Sequence, residues 1–170
     1  MSIVEVRKYK DLTVNKKEIL RYAGDKTADG EVLEIMEDCL KQAFNNSSFM
    51  VCFSEFSVNI KGDLCDFGVF SVNSADLAKN LAGCRKVVIF AATVGVGIDR
   101  FIAKYGRISP LRAVLFDAVG SAFIESLCDC FCEKLSEKDC IKPRFSPGYG
   151  DLPLAVQKTI FDILNPQKNI

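Results

Sequence analysis

The sequence predicts an α+β domain, an antiparallel or mixed sheet packed by several helices. Three observations predict it. Some stretches alternate apolar and polar residues with period two, as half-buried strands do. Others repeat apolar residues every three or four positions, as amphipathic helices do. The two kinds do not follow one another in strict strand–helix alternation, which argues against a doubly wound parallel sheet. At 170 residues, with 49% apolar and 26% charged, the chain reads as a single domain spanning 1–170 with enough apolar mass for a core.

In chain order, residues 2–10 alternate through Ile3, Val4, Val6 and Tyr9, predicting a short strand. Asn15 is a good helix N-cap, and Glu18 three positions on completes a capping box, so a short helix runs to about Tyr22 and stops at Gly24-Asp25. A longer helix is expected over residues 28–45, where Val32, Leu33, Ile35, Met36, Cys39, Leu40, Ala43 and Phe44 recur at helical spacing. Residues 49–60 and 64–72 are rich in Val, Phe and Cys, alternate with period two, and are joined by Lys61-Gly62-Asp63. They predict one β-hairpin. Ser74 caps a helix over residues 75–81 that Gly83 closes. Residues 86–93 form a continuous apolar run, expected to be a central strand buried on both faces.

Thr93-Val94-Gly95-Val96-Gly97 then leads into a helix over residues 98–105. A G-x-G leaving a strand suggests a nucleotide phosphate site, but the third Gly and a repeated strand–helix–strand unit are missing. Close backbone packing at the turn explains the same glycines. Ser109-Pro110 opens the longest helix, with Pro at its first position, extending to about Glu137. Its apolar residues are Leu115, Phe116, Val119, Phe123, Ile124, Leu127, Phe131 and Leu135. Asp117, Ser121 and Glu125 recur every four residues and drift only about 80° around the axis, forming one polar strip. The strip is either a solvated face or a ligand-facing one. A final helix carries Leu154, Val156, Ile160, Phe161 and Leu164 and ends at Asn165-Pro166.

Composition narrows the function classes. Lys+Arg and Asp+Glu balance at 22 each, with no basic run, so neither a nucleic-acid surface nor an anionic membrane surface is expected. No apolar run reaches the length of a bilayer span. The first residues lack the basic start and apolar core of a signal peptide, and a cytoplasmic chain is expected. The eight cysteines are then thiols, most of them small buried hydrophobes. Cys128 and Cys132 share a helix face while Cys130 points away, there is no C-x-x-C, and His is absent. A metal site is therefore poorly supported, and His-dependent catalysis has no residue to use.

The segment between the last two helices concentrates the restricted backbone choices: Arg144-Phe145-Ser146-Pro147-Gly148-Tyr149-Gly150-Asp151-Leu152-Pro153, preceded by Pro143. Pro fixes φ and Gly permits φ > 0, so this is a loop of defined shape. Arg144 offers a planar donor fork for a carboxylate or phosphate, and Tyr149 offers a flat apolar face. The loop is either a rigid interhelical turn with solvated Arg and Tyr or a site for a small anionic, ring-bearing ligand.

Arg144-Phe145-Ser146-Pro147-Gly148-Tyr149, followed by Pro153, resembles the R-x-x-P-G-Y-x-x-x-P motif of the activation (reactivation) domain of cobalamin-dependent methionine synthase. The runs from Phe90 to Arg100 and from Asp117 to Glu125 look like stand-alone members of that family, and the three segments cover roughly the C-terminal half. The resemblance implies a domain that binds S-adenosylmethionine and presents its methyl group to cobalamin that has oxidised to the inactive cob(II)alamin state. An electron from flavodoxin, or a ferredoxin-like donor, together with that methyl group restores methylcobalamin. By the same resemblance Arg144 would hold the ligand's carboxylate. The backbone around Phe145, Ser146 and Gly148 would contact the adenosine part, and Tyr149 would pack on or hydrogen-bond to the ligand. The family's acidic contact from the long helix falls near Ser121, with Glu125 or Asp117 as a displaced substitute beside the cationic sulfonium. No catalytic acid or base and no metal ligand is implied.

The sequence departs from the family at Gly150-Asp151-Leu152, and no His follows Pro153. The expected domain lacks the family's strand-forming C-terminal tail. The D-x-H-x-x-G motif of a cobalamin-binding module is absent, so the chain would act in trans on a separate cobalamin-carrying methionine synthase subunit. Two other readings stand beside this one: a non-catalytic docking or regulatory module for a corrinoid methyltransferase, and a thiol-based redox or metal protein using Cys128, Cys130 and Cys132.

Overall fold

The computed structural model describes residues 3–24 and 30–170. The parts of the expected first strand, first helix stop and second helix start that fall on Ser2, Asp25 and Ala28 lie outside them. The elements run β1 (Glu5–Tyr9), α1 (Lys16–Tyr22), α2 (Gly30–Asn45), β2 (Phe49–Ser57), β3 (Asn59–Lys61), β4 (Leu64–Asp66), β5 (Ser71–Asn73), α3 (Ala75–Asn80), β6 (Lys86–Thr93), α4 (Gly97–Tyr105), α5 (Pro110–Ser136), α6 (Val156–Leu164) and α7 (Pro166–Asn169). This is the predicted α+β class. The strands form two three-stranded sheets, ordered β1-β2-β6 and β3-β4-β5. By contact density the chain divides into two compact units. One comprises Met1–Arg7, Val51–Ala91 and Leu135–Ile170, the other Lys8–Met50 and Ala92–Lys134.

Local signals place most elements. The Asn15 side chain accepts from Lys17 N at 3.0 Å and starts α1. Glu18 does not close the expected capping box: its carboxylate takes Arg21 Nε at 2.8 Å, a pairing one turn along the exposed helix face. Gly24, at φ +76°, supplies the left-handed stop. Ser74 Oγ accepts from Leu77 N at 3.1 Å and starts α3.

The expected single hairpin is divided between the two sheets. The alternating pattern runs on through Val58, but the Val58 amide donates to Arg85 O at 3.0 Å, and the chain leaves β2 for the second sheet. There β3 and β4 pair antiparallel with Ile60 opposite Cys65. The expected second strand is also broken: Asp66 Oδ1 accepts from Gly68 N at 2.9 Å, Gly68 stands at φ +77°, and the resulting turn leads to β5, which pairs antiparallel with β4. Alternation reports which face a residue serves, not which partner its strand takes.

The continuous apolar run of β6 is not the central strand. β2 holds the middle position and β6 an edge, with Ile89 the one buried residue among residues 86–93. Bonds from Ser48 N to Val94 O and from Val58 N to Arg85 O, both 3.0 Å, flank the β2–β6 pair and make it antiparallel. β2 carries more of the core because its larger side chains, such as Phe49, Phe53 and Phe56, are buried.

In the first unit the core gathers Cys52, Phe56, Cys65, Phe67, Leu77 and Leu81 with Leu152 and Leu164 from the C-terminal segment. In the second, α5 supplies the bulk: Leu115, Phe116, Val119, Phe123, Leu127 and Phe131 are all buried, whereas Ile124 is only half-buried, as is Leu135 where the helix passes into the first unit. Phe123 meets Phe49 edge-on at 5.2 Å, and Phe116 stacks on Phe101 at 4.6 Å, geometries that add to simple area burial. Of the cysteines, Cys39, Cys52 and Cys65 are buried, four are intermediate and Cys140 is exposed, so fewer are core residues than expected. α6 begins at Val156, and two residues expected on its apolar face are exposed, Leu154 at 64% and Phe161 at 41%. Asn165, at φ +43°, ends α6, and Pro166 starts α7 rather than stopping the chain's helical course.

Candidate functional site

The loop from Arg144 to Pro153 belongs to the first unit, and its shape follows from its sequence. Tyr149 N donates to Ser146 O at 3.0 Å, Pro147 sits second in that turn, and Gly148 third at φ +92°. This is the type II turn that Pro followed by Gly specifies. A second turn follows directly: Leu152 N donates to Tyr149 O and Gly148 N to Leu152 O, both at 2.9 Å. The loop thus closes on its own backbone. Phe145 packs against the first unit's core and Leu152 is buried within it, while Tyr149 stays 59% exposed. The Phe145 and Tyr149 rings meet edge-on at 6.1 Å and 76°. Ser146 and Gly148 are exposed, and Arg144 is half-buried. Ser146, Gly148 and Tyr149 lie on one closed double turn with an open aromatic face, Phe145 packs beside it, and half-buried Arg144 directly precedes it.

Two residues that the sequence marked only as departures anchor this arrangement. The Asp151 carboxylate accepts from Ser74 Oγ, from Ala75 N at 2.7 Å and from Asp76 N at 3.3 Å. It therefore shares with Ser74 the capping of α3. The Ser74 hydroxyl bond, foremost, and the Ala75 and Asp76 amides hold its carboxyl below the ordinary carboxylate range, against the opposing effect of burial. Leu152 fills the core beside it. Gly150, at φ +51°, lies so close to Asp76 that a side chain there would overlap the Asp76 carboxylate. On the other flank, Asn80 Nδ2 donates to Pro143 O at 3.3 Å. No local pattern announces these partners.

Asp117, Ser121 and Glu125 lie on α5 in the second unit, the first and last exposed and Ser121 half-buried. They form the expected line along the helix. Glu125 also borders a cleft of about 710 Å³ together with Ala122, Ser126 and Asp129 from α5 and residues 11–15 and α1 opposite. Asp117 and Ser121 do not line it. The loop and the strip are thus two separate groups, one in each unit.

The glycines after β6 have a packing role. Ser48 N bonds to Val94 O at 3.0 Å, and a Cβ on Gly95 would stand 2.6 Å from Ser48 Oγ. A Cβ on Gly97 would collide with the carbonyl of Asn46. The chain at residues 46–48 packs directly against this turn, a close approach that accounts for both glycines. The buried thiols of Cys39, Cys52 and Cys65 are each pushed up by burial, which disfavours the reactive thiolate. Among the described residues no group of His, Cys, Asp and Glu is arranged to hold a metal ion, and no helix is long and apolar enough to cross a membrane.

The fold and loop define an α+β protein with a two-turn, core-anchored loop as its most specific feature. No known family profile matches the sequence, and no curated protein matches it. Among solved structures, the fold is similar to that of the MetH reactivation domain, crystallised bound to AdoHcy. The TM-score is 0.65 at 13% identity, over 95% of this chain and 70% of that one.

Proposed function

We propose that this chain is a reactivation subunit that binds S-adenosylmethionine and supports reductive remethylation of cob(II)alamin on a separate cobalamin-dependent methionine synthase. The observation that carries the reading is the loop. The loop motif that resembles the activation domains folds here as a closed double turn, in a chain whose fold matches a MetH reactivation domain crystallised with AdoHcy.

The residues present suit the ligand. Arg144 has the planar fork that pairs with an amino-acid carboxylate. Gly148, at φ +92° and without a side chain, lets the adenosine part approach the backbone near Phe145 and Ser146. Tyr149 presents a flat face. Cobalamin on the partner, reduced by one electron from a flavodoxin- or ferredoxin-like donor, would supply the methyl acceptor, with S-adenosylhomocysteine as the leaving product. This chain's residues bind and align the methyl donor, and alignment rather than proton movement is what such a transfer requires. The expected setting is the cytoplasm.

The test is reconstitution. A methionine synthase stripped of its own activation domain and poised as cob(II)alamin is mixed with this chain, S-adenosylmethionine and reduced flavodoxin. Its absorbance is expected to convert to that of methylcobalamin only when the chain is present. Conversion that is equal without it would overturn the proposal.

A further inference from the structure

The two ends of the loop are held by the two ends of one helix. Asn80, the last residue of α3, donates to Pro143 O at 3.3 Å. Ser74, Ala75 and Asp76 around its start donate to the Asp151 carboxylate. Six helical residues rise about 9 Å, so α3 fixes the separation of the loop's ends while the two turns between them fix its path. Gly150 lets the loop lie flat on this helix, since a Cβ there would overlap the Asp76 carboxylate. Leu152 next to Asp151 is only 5% exposed and keys the same end into the core.

We propose that α3 is a splint for the loop and that Asp151 is its positioning residue, holding the segment from Arg144 to Tyr149 in the ligand-ready shape before any ligand arrives. The proposal rests on reading that segment as the ligand-bearing one. The physical basis is entropic. A loop ordered in advance spares the ligand the cost of ordering it. Charge-assisted bonds from a carboxylate to amide and hydroxyl donors are strong and directional enough to do so. The same negative charge lies at the positive end of the α3 dipole, which favours the docked arrangement.

The test reads hydrogen exchange at the Gly148 and Leu152 amides of the ligand-free protein, alongside calorimetric titration with S-adenosylhomocysteine. In Asp151→Ala both amides are expected to exchange roughly tenfold faster or more, with affinity weakened on the same scale. Asp151→Asn, which keeps one carbonyl acceptor, should recover part of both effects. The Phe123 amide on α5 should keep its wild-type protection, separating a freed loop from general unfolding. Asn80→Ala, which leaves the α3 cap intact, is a second and milder route to the same loosening. Unchanged protection in Asp151→Ala would overturn the splint. Faster exchange with unaltered affinity would overturn the positioning role. If the wild type itself binds nothing, the functional reading fails and the positioning role with it, while protection still decides whether α3 holds the loop.

Discussion

At Asp151 a carboxylate 75 to 77 residues from its partners in the chain gathers a hydroxyl and two amides. Its folded-state pKa is depressed, with the Ser74 bond the leading cause. A depressed carboxylate contributes stability that is present above the unfolded-state pKa of about 4 and is lost as pH falls through the folded value. The stability difference between the wild type and Asp151→Asn should therefore be constant from neutral pH down to about pH 4 and shrink below it. Urea unfolding across that range checks this, and a difference that grows on acidification would contradict it. The comparison is needed because Asp38, held low chiefly by its hydrogen bond from Arg112, also contributes to acid sensitivity. The same residue shows where the sequence stops being legible. Ser146-Pro147-Gly148-Tyr149 announces its turn because φ preferences are local to Pro and Gly. Asp151 and Asn80 act through long-range partners, and an Asp after Gly reads equally well as solvated.

Among the elements, the turn from β6 into α4 separates a packing device from a ligand device. Gly95 and Gly97 look like the start of a phosphate loop in sequence, yet residues 46–48 pass directly against them. Gly97→Ala should lower stability by about 1–3 kcal/mol, the usual cost of overpacking, measurable by urea denaturation. An unchanged midpoint would mean that the chain at Asn46 moves aside freely. The helices were legible because apolar periodicity and caps coincide: α5 opens where Ser109-Pro110 requires it and buries Leu115, Phe116, Phe123 and Phe131. The strands were less so. The run over residues 86–93 signals a need for cover, but neighbour order depends on residues elsewhere, and the Phe-rich β2 took the centre. Val58 looks like any other strand residue until its amide is seen to bond Arg85.

For the molecule as a whole, a fold similarity at 13% identity does not by itself assign an activity. A net charge of zero offers no long-range steering toward a polyanion, so in the proposed reading the short-range chemistry of the loop specifies what binds. The central claim therefore turns on whether that loop takes S-adenosylmethionine, and the direct measurement is calorimetric titration of the purified wild type and Arg144→Ala. Saturable one-to-one binding is expected, weakened at least roughly tenfold when the guanidinium is removed, the scale of a lost charge-assisted pair. No binding by the wild type, or equal affinity in Arg144→Ala, would contradict it.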